Sequence, residues 1–223
     1  MSKLFSVLAA FLSFVSLVLV AVSIATNYWV KLSPDTQPQS PLNPLANDTF
    51  SDPTLLVQYN LDYFGLWVGC HREVTFNKVS CAYIGASCYS DVCWVRNGRQ
   101  EKCSNFRLPQ IDNCSAYQAT RAMAIIGTIF LVLGSSILVV SVWVSSNSLS
   151  IAGTISTLLA SVFLMIAFAV FYDRNFNYLD DIGSIGWSFI LLIVAWPLAF
   201  VAFLLGIPAS LQSEKRDEYS QME

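Results

Sequence analysis

Charge is scarce in this sequence. Of 223 residues only 12% are Asp, Glu, Lys or Arg, against roughly a quarter in soluble domains, which excludes an ordinary cytosolic globule. Leu4–Thr26, Ala122–Tyr172 and Ile182–Ser213 carry no formal charge at all, while 15 charged residues crowd into Lys31–Asp112. Net charge is −3 with no long run of one sign, so the chain lacks the basic surface that neutralises phosphates, and nucleic acid is excluded as a partner. Histidine occurs once, as His71, beside Cys70, and no Cys-x-x-Cys pair occurs, which leaves a zinc cluster without its usual ligand spacing. Gly-rich phosphate loops are absent. The apolar stretches hold none of the ionisable groups on which intramembrane chemistry or ion coupling depends. Their serines have no His, Lys or carboxylate to activate them, and His71 has no partner either. The sequence reads as a non-enzyme with no cofactor and no metal ligand.

Long uncharged runs are what is present. Leu4–Thr26, Ala122–Val144, Ile151–Tyr172 and Ser184–Pro208 are each 22 to 25 residues long; at about 1.5 Å per residue each crosses about 30 Å of hydrocarbon as a helix. These lengths imply four spans, with membrane lipid as the surrounding partner. The organisation read from this is a short cytoplasmic N-terminus (1–3), a first span (4–26), a first extracellular loop (27–117), a second span (118–144), a cytoplasmic turn (145–150), a third span (151–172), a second extracellular loop (173–183), a fourth span (184–208) and a cytoplasmic tail (209–223). The six-residue connection makes spans two and three an antiparallel hairpin. Lys3 ahead of an apolar run ending in small residues also fits a cleaved signal peptide, which the length of the run opposes; either way, the chain beyond residue 30 keeps its side of the membrane. Ala152, Ser156 and Ala160 form one i, i+4 stripe suited to close helix packing. Pro197 reads as a kink and Pro208 as a helix end.

Cysteine orients the chain. All six, Cys70, Cys81, Cys88, Cys93, Cys103 and Cys114, lie between the first two spans, as disulfides formed in an oxidising compartment require. Both N-glycosylation patterns, Asn47-Asp-Thr and Asn113-Cys-Ser, fall in the same loop. Asn113 is the poorer acceptor, because its neighbour Cys114 is a disulfide candidate. Asn47 lies in Pro34–Pro53, where five of the eight prolines gather in a composition that favours irregular chain. Leu55–Leu61, Tyr63–Cys70 and Val79–Ile84 are short, aromatic and β-branched, and read as strands of an antiparallel sheet. A domain this small has little core, and disulfides at about 2–4 kcal/mol each make up the deficit.

Asn27-Tyr-Trp29 closes the first span, Gly65-Leu66-Trp67 comes next, and Cys70 and Cys81 lie beyond it. This order resembles the claudin / peripheral myelin protein / epithelial membrane protein superfamily, with its W…GLW…C…C pattern in the first extracellular loop. Tyr117-Gln-Ala-Thr-Arg121-Ala looks like the start of a claudin second span, and Gly186-Trp-Ser-Phe189 is similar to the calcium-channel gamma subunits. The resemblance covers most of the chain and leaves Pro34–Leu56 and Cys88–Cys114 poorly matched. It implies a membrane α-helical fold, a left-handed four-helix bundle topped by a disulfide-bonded extracellular antiparallel β-sheet. It also implies a Cys70–Cys81 disulfide and tryptophans near the outer lipid interface, where Arg121 extends its head to water. For Trp67 a place in the core of the sheet is the competing expectation.

The sequence departs from claudins in a longer first loop, four extra cysteines, a short second loop and a tail ending Ser-Gln-Met-Glu223 without an apolar terminal residue. The resemblance implies action by contact, either with copies of itself or with other membrane proteins. Two expectations remain: a junction, adhesion or barrier element at the plasma membrane, using a face that carries Trp67, His71, Arg72 and Lys78, or an auxiliary subunit of a channel or receptor. Arg96, Arg99, Lys102 and Arg107 form a basic cluster that reads as a solvated loop or as an attractor of anions. Tyr219-Ser-Gln-Met222 fits a tyrosine-based sorting pattern, one short enough to arise by chance.

Overall fold

The computed structural model describes residues 2–32, 59–73, 78–84, 89–96, 99–107, 114–144, 146–179 and 183–220. Four helices form the body: α1 (Ser2–Ala25), α2 (Cys114–Val144), α3 (Asn147–Leu179) and α4 (Trp187–Ser220). All four are long and apolar enough to cross a membrane. Each buries only one side in the protein. Leu4, Phe11 and Phe14 of α1, Ile129 and Leu133 of α2, Ile155 and Met165 of α3 and Leu204 of α4 stay exposed, as a lipid-facing surface requires.

With lipid on the outside, apolar burial between helices gains little, and close packing with hydrogen bonds has to hold the bundle together. Glycine provides the approach between α2 and α3. A Cβ on Gly134 would stand 2.8 Å from Thr157 Oγ1 and 3.2 Å from the Gly153 carbonyl, and one on Gly127 would meet the Leu164 side chain. Hydroxyls cross the gaps: Ser156 donates to the Phe130 carbonyl at 2.9 Å, Ser16 of α1 to Ala195 of α4 at 2.8 Å, and Ser161 of α3 to Trp196 of α4 at 3.3 Å. Ser156 and Ala160 therefore lie in the α2–α3–α4 packing, but Ala152 is exposed; the buried small residue of that turn is Gly153, which meets Leu138. The i, i+4 stripe is one position out because the contact follows the i, i+3 row as well.

Pro208 does not end α4, which continues to Ser220. A proline costs a helix one donor and crowds the preceding turn, and here the helix continues through it. α2 starts at Cys114 and α3 runs on to Leu179, so helix reaches into both stretches read as loops.

Above the bundle lies a five-stranded antiparallel sheet in the order β4-β3-β2-β1-β7, from β1 (Val30–Leu32), β2 (Tyr59–Phe64), β3 (Val68–Glu73), β4 (Lys78–Tyr83) and β7 (Gly183–Ile185). A separate hairpin, β5 (Tyr89–Arg96) with β6 (Arg99–Arg107), reaches the main sheet through β4. The chain from Tyr63 to Cys70 is not one strand. It turns at Gly65–Trp67, where the Gly65 N–H donates to the Val68 carbonyl at 2.9 Å, and splits between β2 and β3. In β3 and β4, Cys70 faces Cys81 in register and the two form a disulfide.

Candidate functional site

Where sheet meets bundle, the motif residues come together around one buried cation. Arg121, in the second turn of α2, is 4% exposed. Its Nε donates to the Leu66 carbonyl at 2.6 Å and an Nη to the Ile84 carbonyl at 2.9 Å. The guanidinium carbon lies 5.0 Å from the Trp67 ring centroid and 4.6 Å from that of Tyr117. The head does not extend to water. It points inward, where a planar fork with five donors meets two strand-end carbonyls while the rings cover its faces. One turn earlier, Tyr117 donates from its hydroxyl to the Gly65 carbonyl.

Trp29 holds the opposite side of the junction. It is fully buried, with Nε1 donating to the Ser23 carbonyl at 2.7 Å and its ring edge-on to Phe171 at 4.9 Å and tilted against Phe189 at 5.4 Å. Its place is therefore inside the protein and not at the lipid interface. Half-exposed rings nearby include Tyr28 and Trp187, stacked at 5.9 Å, with Tyr63 also stacked on Tyr28 at 4.3 Å.

Gly186-Trp-Ser-Phe189 acquires a mechanical reading. The first N–H groups of a helix lack intrahelical partners, and here the backbone of residues 28 and 29 supplies acceptors. Gly186 N–H donates to the Trp29 carbonyl at 2.9 Å and Ser188 N–H to the Tyr28 carbonyl at 3.1 Å. Any Cβ on Gly186 would collide with the Tyr28 carbonyl, so only glycine permits the approach. Ser188 Oγ accepts from Thr26 Oγ1 at 2.7 Å. Gly65 plays a similar part, since its Cβ would stand 2.7 Å from the Asn27 Cα.

The structure thus brings together Trp29, Gly65, Leu66, Trp67 and Arg121, with Cys70–Cys81 next along the same sheet. Trp67 is half-buried against the core cluster, between its two expected environments. Tyr117, Gly186 and Ser188, singled out by the sequence only as parts of the matches at the starts of the second and fourth spans, also join the junction. For His71, Arg72, Lys78, Cys93, Cys103 and the cluster Arg96, Arg99, Lys102 and Arg107 only backbone positions on β3–β6 are described. Asn47, Asn113 and Cys88 lie outside the described residues. Cys114 is disulfide-bonded. Among the described residues no group of three or more His, Cys, Asp or Glu could hold a metal ion.

Four spanning helices surmounted by a disulfide-bonded antiparallel sheet, pinned by an arginine and a tryptophan, define a tetraspan membrane protein of claudin architecture. The family model for PMP-22/EMP/MP20/Claudin tight junction proteins matches residues 14–206, and the chain belongs to that family. No curated protein matches it. Members of the family are generally non-enzymatic and typically self-associate or interact with other membrane proteins.

Proposed function

We propose that this tetraspan protein works at the plasma membrane as an adhesion or barrier element, presenting its extracellular sheet to copies of itself or to proteins of a neighbouring cell. The reading rests on the Arg121 junction. A helix residue that donates to the carbonyls ending the β2–β3 turn and β4 makes the sheet a fixed extension of the bundle, and rigid presentation lowers the ordering cost of a contact surface. On β4, Tyr83 is 62% exposed, a large ring available to a partner. The face with Trp67, His71, Arg72 and Lys78 is the proposed contact region, and Asn47 is the proposed glycan site, with Asn113 second. No catalytic step is assigned.

One observation favours a second reading, an auxiliary subunit of a channel or receptor. The second extracellular segment is used up internally, α3 reaching Leu179 and β7 pairing with β1, so little of it projects toward another cell. Expression in junction-free cells separates the two. Enrichment at contacts between two expressing cells, with raised transepithelial resistance when confluent, supports adhesion. Uniform surface distribution, with a channel recovered after mild crosslinking, transfers the assignment to the auxiliary subunit.

A further inference from the structure

Four of the six cysteines lie beyond the W…GLW…C…C pattern, and strand register decides how they pair. β5 and β6 run antiparallel from Tyr89↔Arg107 through Cys93↔Cys103 to Trp94↔Lys102, with the irregularity only after Trp94. Cys93 and Cys103 are thus directly opposed. Opposed residues of an antiparallel pair put their Cβ atoms on one face about 4.5–5.5 Å apart, close to the separation a disulfide uses. The chain contains the same arrangement already bonded, since Cys70 and Cys81 are opposed in β3 and β4.

Reach removes the alternatives. Tyr89, the first residue of β5, is four strand residues from Cys93, about 13 Å at the usual rise. Cys88 is bound to Tyr89 and its Cα stands about 3.8 Å away. It therefore remains some 9 Å or more from Cys93, and as far from Cys103 across the ladder, outside the limit of about 7 Å between bridged Cα atoms. Cys114 is disulfide-bonded, while Cys70 and Cys81 are taken by each other. We infer that Cys93 and Cys103 form a cross-strand disulfide and that Cys88 is bonded to Cys114, two nested bridges that sew the β5–β6 hairpin to the first residue of α2. Each bond joins two thiol sulfurs with release of two protons and two electrons. The electrons pass by thiol–disulfide exchange to a disulfide-carrying oxidant of the secretory pathway, which leaves as a dithiol. The bridges answer a physical need, because a two-stranded hairpin apart from the main sheet is marginal in water.

The test uses the full-length protein, extracted without reductant, alkylated with N-ethylmaleimide, deglycosylated and cut with trypsin and an endoprotease that cleaves before aspartate. The expected map joins 91–96 to 103–107, and gathers 62–72, 79–90 and 112–121 into one three-peptide species, because 79–90 carries both Cys81 and Cys88. A link from 91–96 to 112–121, or an alkylated Cys93, overturns the assignment. Cys93→Ser gives a second measurement: under non-reducing conditions a single maleimide adduct is expected, on Cys103, and an adduct on Cys88 or Cys114 instead also overturns it. The wild-type map stands on its own should that variant fail to fold.

Discussion

The guanidinium of Arg121 stacks over Trp67 at 5.0 Å while donating to the carbonyl of Leu66, the residue just before it. One side chain thus grips the Leu66–Trp67 turn from both its backbone and its ring, and the turn cannot shift without α2.

Replacing that arginine tests the grip. Arg121→Ala leaves the Leu66 and Ile84 carbonyls without these charged donors, at about 1.5–3 kcal/mol each. Arg121→Lys keeps the charge but cannot fork to both carbonyls. Melting in detergent, read by size-exclusion of the fluorescently tagged protein, is expected to rank wild type above Arg121→Lys above Arg121→Ala. Equal melting of all three would remove the junction from the account.

Trp29 separates packing from hydrogen bonding. Trp29→Phe keeps an aromatic ring and loses the Nε1 bond to Ser23, a loss of about 1 kcal/mol. Trp29→Ala empties a fully buried site and costs about 3–5 kcal/mol. The same melting assay reads the difference, and a phenylalanine variant as unstable as the alanine one speaks against this division.

Glycine substitutions grade backbone clash against side-chain clash. Gly186→Ala drives a methyl into the Tyr28 backbone at its carbonyl oxygen, whereas Gly206→Ala meets only the Thr154 side chain. Surface biotinylation is expected to fall steeply for Gly186→Ala, by about 1–3 kcal/mol worth of strain, and much less for Gly206→Ala. The reverse order contradicts the helix-start geometry.

Interhelical hydroxyls predict a small effect. Ser156→Ala deletes the bond to the Phe130 carbonyl, and such bonds in membranes average about 0.6 kcal/mol. A steric-trap or denaturant titration in bicelles should find a change of that size; a loss several times larger would mean that Ser156 does more than bridge α2 and α3.

The bridge between β3 and β4 closes a loop of 11 residues, worth about 3 kcal/mol. The double variant Cys70→Ser/Cys81→Ser is expected to lose that stability. In wild type, maleimide applied to intact cells should find no thiol at either position.

The helices were legible because an uncharged run of 22 or more residues has few other uses. The sheet was legible only in part. β1 and β7 are three residues each, too short for any alternation, and exist because each gives the other a ladder, with Val30 opposite Ile185. β5 and β6 are polar along much of their length, and their pairing lies in a segment beyond the W…GLW…C…C pattern. The Tyr63–Cys70 run looked continuous because aromatic and apolar residues persist through the turn at Gly65. Arg121 has the default reading of any arginine at a span end, whereas two of its acceptors lie 55 and 37 positions away in sequence, a relation only the folded chain displays. Gly186 and Ser188 stand out in the sequence only as part of the Gly186-Trp-Ser-Phe189 match, and their contacts do not, since the backbone they meet belongs to the other end of the molecule.

The pairing of β1 with β7 carries a lesson about biogenesis. Val30–Leu32 emerges early in synthesis, yet one of its two neighbours is written just ahead of the last helix. Until that helix is inserted, this side of the early strand lacks the ladder partner it has in the folded protein. Losing or inverting the final segment would therefore leave the sheet one strand short on the β1 side.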